Sequence, residues 1–179
     1  LEVRDLLVGL EAGIGRGDRV AVPAYHCPTM LFPILASRAT PVLLDLNERL
    51  EVTPGAIESA ACGARAVLLP HFFGFAQPHL EEIRAWCDAR GAVLIEDCAH
   101  AFYGDPTGFV PGFGGHYAIA STRKFFPGTE GGALVSNREP LSLDLPLAAW
   151  GEDIGAVVDT LHMASRAGNL PWSSPRLGR

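Results

Sequence analysis

The sequence predicts an α/β fold of three layers, in which helices flank a mainly parallel sheet. Short apolar runs that are typical of buried strands begin near residues 19, 41, 66 and 92, at intervals of about 25 residues. A helical pattern fills each interval, and strands that alternate with helices pair in parallel because the helix returns the chain across the sheet. With 179 residues, 48% of them hydrophobic, the chain is long enough to form one substantial core.

The first part of the chain contains two predicted strands. Its predicted elements are a helix over 3–10, a turn over 13–18, a strand over 19–23, a helix over 29–38 and a strand over 41–44. Apolar residues at helical spacing predict the opening helix, and Pro33 lies either in the first turn of the second helix or at a kink. The turn contains Gly-x-Gly-x-Gly, but it follows a helix and precedes a strand, which is the wrong order for a dinucleotide-binding loop.

The next part of the chain continues the alternation. Its predicted elements are a helix from Pro54 to about Ala61, a strand over 66–69, a helix over about 78–90, and strands over 92–95, 117–120 and 133–135. Thr53 is a typical N-cap that is followed by proline at the first helical position. Glu81 and Glu82 favour the start of the following helix, and Gly91 favours its end.

Composition and charge argue against several classes of function. The net charge is −6 with no run of basic residues, so nucleic acid is not an expected partner. The longest apolar run, about residues 64–76, is too short to span a bilayer, and no secretory signal opens the sequence, so no membrane association is expected. The scattered cysteines Cys27, Cys62, Cys87 and Cys98 have mostly apolar neighbours, which favours reduced core thiols in a cytoplasmic protein.

Three groups of polar side chains follow predicted strands. Residues 25–27 follow the first, residues 97–100 the fourth, and Ser121 with Lys124 the fifth. In a parallel sheet, ligands bind beyond the carboxyl ends of the strands. Taken singly, an aspartate after a strand is more often a turn former, and a lone histidine is more often structural. Three such groups at one edge favour a binding site.

Lys124 has unusual neighbours for a lysine. Hydroxyl residues precede it, two phenylalanines follow it, and a glycine-rich stretch comes next. These flanks predict a buried lysine, although most lysines are solvated surface charges. Burial lowers the pKa of a lysine and yields the free amine that attacks a carbonyl carbon. We therefore expect Lys124 to bind a carbonyl cofactor covalently.

Several motifs together resemble a known family. They are Val-Pro-Ala-Tyr-His-Cys at 22–27, Ala-Thr-Pro-Val-Leu-Leu-Asp at 39–45, His-Phe-Phe-Gly at 71–74, Glu-Asp-Cys-Ala-His-Ala at 96–101, Ser-Thr-Arg-Lys at 121–124 and Glu-Gly-Gly-Ala at 130–133. Their order over about residues 1–137 resembles the sugar aminotransferases of the DegT/DnrJ/EryC1/StrS family. These are fold-type-I enzymes that depend on pyridoxal 5′-phosphate, so the resemblance implies the large domain of that fold.

The resemblance implies a role for each candidate side chain by position. Lys124 would form a Schiff base with pyridoxal phosphate and then shuttle a proton. Asp97 would pair with the pyridine nitrogen and keep it protonated, so that the ring accepts electrons. His100 would lie near the ring hydroxyl, and Ser121, three residues before the lysine, would contact the phosphate. Residues 25–27 would lie over the ring.

Within the segment 25–27, the family often places an aromatic side chain over the cofactor. Cys27 aligns with that aromatic, so the ring contact would fall to Tyr25 or His26. As a residue of the cofactor site, His26 is a weaker candidate than Asp97.

The activity implied by the resemblance is transfer of an amino group from an amino acid, glutamate, to a keto group of a nucleotide-linked sugar. Such enzymes bind the cofactor at a homodimer interface. Residues 1–137 would be the cofactor-binding core, and 138–179 a divergent or truncated C-terminal segment with one helical pattern over 154–166. Because the sequence opens at Leu1 and lacks the pattern of the small C-terminal domain, it is expected to be a fragment.

Other interpretations stay open. The chain could be a truncated, non-catalytic fold-type-I relative that acts as a binding or regulatory protein. A metal site from residues 26–27 and 98–100 is disfavoured because no paired Cys or His spacing supports it, so no metal is expected. A hydrolase nucleophile at Ser121 lacks its Gly-x-Ser-x-Gly elbow. A dehydratase branch of the family has histidine in place of the lysine, so Lys124 favours transamination.

Overall fold

A computed structural model of the chain describes residues 12–104, 108–126 and 131–141. Its elements are β1 (Arg19–Pro23), α1 (Pro28–Ala36), β2 (Thr40–Leu44), α2 (Pro54–Ala60), β3 (Ala66–Pro70), α3 (Leu80–Arg90), β4 (Val93–Asp97), β5 (Tyr117–Ala120) and β6 (Ala133–Ser136). The strands form one sheet in the order β2-β1-β3-β4-β5-β6. Neighbours pair in parallel except β6, which is antiparallel to β5. The predicted α/β class with a mainly parallel sheet is confirmed.

Both faces of the sheet are buried, which gives the described residues three layers. Successive side chains of a strand point to opposite faces, so each central strand contributes to two cores. On one face, α1 packs Met30 and Ile34 against the sheet. On the other face, α2 contributes Ile57, and α3 contributes Ile83 and Cys87. A strand that is buried on both sides is apolar throughout, which explains the continuous runs in the sequence.

The helices begin and end at residues whose chemistry explains the boundary. The Thr53 side-chain oxygen accepts a hydrogen bond from the backbone N–H of Ala56 at 3.2 Å and caps α2. Gly91 ends α3 with a φ of 64°, in the left-handed region that glycine adopts most readily. Pro33 lies inside α1 rather than in its first turn, and α1 ends at Ala36, before the predicted boundary.

The register of the central strands aligns their carboxyl ends. Pro70 of β3 lies opposite Asp97 of β4, and Asp97 lies opposite Ile119 of β5. A short 3₁₀ turn follows β3 at Phe72–Gly74, and a second follows β5 at Thr122–Lys124. The two turns therefore flank the end of β4 at one edge of the sheet.

The cysteine prediction is wrong for two of the four residues. All four thiols are free, but Cys27 and Cys62 are exposed, whereas Cys87 and Cys98 are buried. Cys27 is the N-cap of α1, and Cys62 follows the end of α2, so both lie in connections at the surface.

Two predicted helices, over 3–10 and 154–166, lie outside the described residues. Within the described part of the chain, no helix has both the length and the apolar character to cross a bilayer.

Candidate active site

A cavity of about 390 Å³ lies at the edge of the sheet where β1, β3, β4 and β5 end. Such an edge is the usual ligand-binding position in a parallel α/β sheet. Six side chains that the sequence analysis selected line this cavity: Tyr25, His26, Cys27, Asp97, His100 and Lys124. The fold thus gathers groups that are up to about 100 residues apart in the sequence.

Asp97 is the last residue of β4 and is only 8% exposed. Its Oδ1 accepts a hydrogen bond from the backbone N–H of Ala99 at 2.8 Å. Its backbone carbonyl accepts a second from the N–H of His71 at 3.1 Å. These bonds fix the carboxylate at the wall of the cavity.

Lys124 ends the second 3₁₀ turn, and its backbone N–H donates to the carbonyl of Ser121 at 3.2 Å. The prediction that Lys124 is buried is wrong, because its side chain is exposed. The turn carries the lysine past the end of β5 to the open side of the cavity. Its positive charge nevertheless contributes to lowering the pKa values of His100 and Cys27.

Ser121 directly follows β5 and is completely buried. Its hydroxyl oxygen is the one buried side-chain nitrogen or oxygen of the described residues that has no hydrogen-bond partner. The residue is not part of the cavity lining. Since a buried hydroxyl without a partner costs about 1–3 kcal/mol, this atom indicates a partner outside the described residues.

The ring of His100 stacks on Phe73, with centroids 5.8 Å apart and an interplanar angle of 9°. Phe73 belongs to the 3₁₀ turn Phe72–Gly74 and has a φ of 56°, a strained value for a residue with a Cβ. Partial burial and then the charge of Lys124 lower the pKa of His100, while Asp97 opposes the shift. His100 therefore offers a neutral imidazole to the cavity at pH 7.

Residues 25–27 form the opposite wall of the cavity. The ring of Tyr25 meets Phe72 edge-on at 5.6 Å, and His26 Nδ1 donates to the carbonyl of Pro23 at 2.8 Å. Cys27 Sγ accepts a hydrogen bond from the Thr29 hydroxyl at 3.1 Å. This bond is the main cause that lowers the pKa of Cys27, and an exposed thiol with a lowered pKa is a good nucleophile.

A buried pair beside the cavity received no role in the sequence analysis. His71 and Glu96 are both fully buried, and His71 Nδ1 accepts a hydrogen bond from the N–H of Gln77 at 3.2 Å. His71 Nε2 therefore carries the proton and donates it to Glu96 Oε2 at 2.8 Å. The Glu96 carboxylate also accepts bonds from the N–H groups of Gly112, at 3.3 Å, and Gly115. Although burial alone would raise the pKa of Glu96, these bonds hold it below its usual value.

The sequence contains one signal for this pair, which is the alternation of side chains between the two faces of a strand. Asp97 lines the cavity, so the preceding residue, Glu96, points to the other face of the sheet. An acid at a fully buried position requires a partner. The sequence does not identify that partner as His71, which lies 25 residues earlier.

His71, Glu96 and Cys98 form a group whose potential metal-ligand atoms lie within 4.8 Å of one another. Burial, followed by the charges of Glu96 and Asp97, raises the pKa of Cys98, so its thiol is protonated at pH 7. A metal requires the thiolate. His71 and Glu96 already bind each other, and a hydrogen-bonded core accounts for the group.

A comparison with models of known protein families assigns the chain to one of them. The model of the DegT/DnrJ/EryC1/StrS aminotransferase family matches residues 5–145 of the chain. The chain belongs to this family. The resemblance inferred from the sequence motifs is therefore confirmed.

Individual members of the DegT/DnrJ/EryC1/StrS family support the assignment. The chain is 34% identical over 142 residues to the L-glutamine:2-deoxy-scyllo-inosose aminotransferase of Streptoalloteichus tenebrarius. The matched segment covers 76% of the chain and 33% of that enzyme. The chain is 29% identical to an aminotransferase from Psychrobacter cryohalolentis of known structure, with a TM-score of 0.68, covering 76% of the chain and 36% of that structure.

A third comparison concerns the fold alone. The structure of ntda from Bacillus subtilis with bound cofactor PMP is 22% identical, with a TM-score of 0.67, over 77% of the chain and 32% of that structure. The chain thus spans about a third of the length of each of these proteins.

Proposed function

We propose that this family member takes part in the transfer of an amino group from an amino acid to a keto group of a nucleotide-linked sugar, with pyridoxal phosphate as cofactor. The observation that carries the proposal is the meeting of Lys124, Asp97 and His100 at one cavity in a chain of an aminotransferase family. Glutamate is the proposed amino donor. L-glutamine and 2-deoxy-scyllo-inosose, named for the Streptoalloteichus tenebrarius relative, are the second pair of substrates to assay.

The described residues fit pyridoxal phosphate in two respects. The cavity, at about 390 Å³, lies within the range of about 300–1,000 Å³ that is usual for small-molecule sites. The hydroxyl of Ser121 lies behind the cavity lining, next to the end of β5, and has no partner among the described residues, so a phosphate oxygen that reached it would satisfy this donor. When bound, the cofactor supplies an aldehyde carbon that takes up the amino group and a ring that accepts electrons.

Each candidate side chain has a proposed task at the cofactor. The Lys124 amine would hold the cofactor through its aldehyde carbon and, once released, would carry a proton to and from the carbon that bears the amino group. The Asp97 carboxylate, which accepts a hydrogen bond from Ala99, would keep a proton on the pyridine nitrogen. The imidazole of His100 would face the ring hydroxyl, and the Ser121 hydroxyl would donate to the phosphate.

The proposed contacts over the cofactor ring come from Tyr25 and His26, which line the same cavity. His26 is fixed by its bond to Pro23, and Tyr25 is 53% exposed, so its phenol ring is free to cover a flat ligand.

We further propose that the protein acts as a cytoplasmic homodimer. Exposed aromatic side chains beside the end of β5 support an interface there, since Tyr103 and Phe126 are 60% and 45% exposed. Such large exposed apolar side chains often mark protein contacts. Residues 1–137 are proposed as the cofactor-binding core and 138–179 as a divergent C-terminal segment.

The second candidate function is a non-catalytic relative that binds ligands or regulates a partner. The exposure of Lys124 favours it, because a buried lysine, not an exposed one, is the basis for expecting a covalent bond to the cofactor. Labelling of this lysine separates the two candidates.

The experiment adds pyridoxal phosphate to the chain, reduces with sodium borohydride and maps the modified peptide. Labelling at Lys124 that is absent in Lys124→Ala supports the proposed cofactor role, and absence of labelling in the parent chain supports the non-catalytic candidate. Amino transfer is assayed separately. Asp97→Ala should retain labelling at Lys124 but lose turnover, and an unchanged rate in this variant would contradict the role given to Asp97.

A further inference from the structure

The ring of His100 is held at the cavity by stacking rather than by hydrogen bonds. Within the described part of the chain, neither of its ring nitrogens forms a hydrogen bond. One face of the ring lies against Phe73, with the two centroids 5.8 Å apart and the planes within 9° of parallel. The torsion that turns an imidazole about its own axis is soft. The orientation of the His100 ring therefore depends on Phe73.

The turn that carries Phe73 also packs on the backbone of His100. Gly74 has a φ of 95°, and a Cβ at this position would lie 3.2 Å from the backbone oxygen of His100. Only a residue without a side chain lets the turn approach so closely. The turn is anchored to the end of β4, because the N–H of His71 donates to the carbonyl of Asp97 at 3.1 Å. The two stacked rings are thus carried by segments that the sheet holds together.

Phe73 has a strained backbone that core packing does not explain. Its φ of 56° lies in the left-handed region, which is unfavourable for a residue with a Cβ. Its ring is 59% exposed, so burial of apolar surface offsets little of this strain. Such conformations persist only where the surrounding structure enforces them, and they are concentrated at functional sites. The strain therefore indicates that the position of this ring matters for function.

Phe73 also contacts the opposite wall of the cavity. Its ring meets Tyr25 edge-on at 6.5 Å and lies 6.3 Å from the ring of Phe72. All three rings, together with His100, line the same cavity. An aromatic ring that contacts both walls limits the movement of each.

We propose that Phe73 is a positioning residue that holds the imidazole of His100 in the orientation in which it meets the cofactor. The stacked ring covers one face of the imidazole and leaves the nitrogens at its edge uncovered. Because ordering a mobile side chain on binding weakens affinity, a His100 ring that is already ordered strengthens the binding of pyridoxal phosphate. This inference rests on the proposed function, since it explains how the His100 of that site is oriented.

The test of positioning uses the full chain without cofactor. Carbon-13 relaxation of the His100 ring, whose signals are identified by their loss in His100→Asn, measures the order of the imidazole. Phe73→Leu should lower this order, because leucine keeps the Cβ and the backbone strain but removes the aromatic face. Phe73→Tyr should retain it. Phe113→Leu, which removes a ring that is 73% exposed outside the cavity, is the control and should have no effect. Unchanged order in Phe73→Leu would overturn the proposal.

Phe73→Gly separates positioning from folding. Glycine adopts the left-handed region freely, so this variant removes the backbone strain together with the ring. We expect its urea midpoint of unfolding to equal or exceed that of the parent, while the His100 ring becomes as mobile as in Phe73→Leu. A lower midpoint with an unchanged order of His100 would show that Phe73 serves the fold and not the site.

Fluorescence titration with pyridoxal phosphate measures the consequence for cofactor binding. Phe73→Leu should weaken the affinity about three- to tenfold, which is the effect expected when a binding side chain must be ordered on association. Phe73→Tyr should keep the parent affinity. Because Phe73 acts through His100, Phe73→Leu should have no further effect in a His100→Asn background. An equal loss of affinity in both backgrounds would contradict the inference.

Three outcomes separate this inference from the proposed function. If Phe73→Leu disorders His100 but the parent chain is not labelled at Lys124 by pyridoxal phosphate and borohydride, the proposed function is wrong and the positioning contact stands. If the parent is labelled but the order of His100 does not depend on Phe73, only this inference is wrong. If Phe73→Leu changes the oligomeric state in sedimentation and not the order of His100, Phe73 belongs to an interface between copies and the inference is again wrong.

Discussion

The imidazole of His71 and the carboxylate of Glu96 form a fully buried hydrogen-bonded pair, with Nε2 and Oε2 2.8 Å apart. His71 follows β3, and Glu96 is the neighbour of Asp97 on β4. Because Glu96 also accepts bonds from Gly112 and Gly115, the pair ties both strands to the segment that leads into β5. The strands that carry the proposed cofactor-binding groups are therefore connected on the face opposite Asp97.

Replacement of Glu96 by glutamine should destabilise the fold strongly. The amide would present an N–H group toward donors that Glu96 now satisfies, and a buried donor left without an acceptor typically costs about 1–3 kcal/mol. We expect the free energy of unfolding, measured by urea denaturation, to fall by about 2 kcal/mol. Glu48→Gln, at an exposed position, is the control and should change it by less than about 0.5 kcal/mol. Equal stability of the two variants would show that the pair is not structural.

A second buried histidine makes stability depend on pH. His116 Nδ1 accepts a hydrogen bond from the N–H of Leu94 at 2.8 Å, so Nε2 carries the proton and donates to Asp88 Oδ1 at 2.8 Å. Burial and then the charge of Arg84 lower the pKa of His116, although Asp88 opposes the shift. Protonation of Nδ1 would also break the bond to Leu94.

The direction of the pH effect follows from the lowered pKa. Below the ordinary histidine pKa of about 6.5, the unfolded chain binds a proton at His116 that the folded chain resists. The contribution of His116 to stability is therefore present above about pH 6.5 and is lost as the pH falls toward its folded pKa. We expect the unfolding free energy to decrease between about pH 7.5 and 5.5, and the decrease should be smaller in His116→Asn, whose side-chain oxygen can accept from Leu94.

The comparison for His116 is a variant of the cavity histidine. The pKa of His100 is lowered as well, so His100→Asn reports the part of the pH dependence that arises at the cavity. If His116→Asn retained the full pH dependence of the parent, the neutral state assigned to His116 would be wrong.

The sheet could be predicted from the sequence because its central strands are buried on both faces. Val67 and Leu68 pack into different cores, and such strands read as continuous apolar runs. The ends of two helices could also be predicted, because the capping residues Thr53 and Gly91 act within a few residues of their own positions. The edge at which the candidate residues meet follows from parallel pairing alone.

The details of the site depend on contacts that are distant in sequence or on local turns. The exposure of Lys124 follows from a 3₁₀ turn beyond β5, and no apolar flank could indicate that geometry. The stacking of His100 on Phe73 joins two turns that are adjacent only through the pairing of β3 and β4. Such contacts can be identified only when the three-dimensional positions of both residues are known.

The four cysteines should differ in reactivity, and Cys27 should react faster than the two buried thiols. Its thiol is exposed and its pKa is lowered, first by the hydrogen bond from Thr29. Burial raises the pKa of Cys87 to about 12 and also raises that of Cys98. Iodoacetamide treatment of the native chain, followed by peptide mapping, should label Cys27 well before Cys87 or Cys98.

Pyridoxal phosphate adds a second test to the cysteine experiment. Cys27 lines the cavity and Cys62 does not, so the cofactor should slow alkylation of Cys27 and leave the exposed Cys62 unaffected. Equal protection of both thiols would indicate a general change of conformation rather than occupation of the cavity.

Ser121→Ala should separate cofactor binding from stability. Because the hydroxyl is buried without a partner among the described residues, its removal should leave the unfolding free energy unchanged or raise it by up to about 1 kcal/mol. A hydrogen bond to a charged group such as phosphate contributes about 1.5–3 kcal/mol, so the affinity for pyridoxal phosphate should fall at least about tenfold. Fluorescence titration with the cofactor measures the affinity, and urea denaturation without cofactor measures the stability. The control is Ser59→Ala, which changes an exposed serine on α2. If neither variant changed the affinity for pyridoxal phosphate, Ser121 would not belong to the phosphate site.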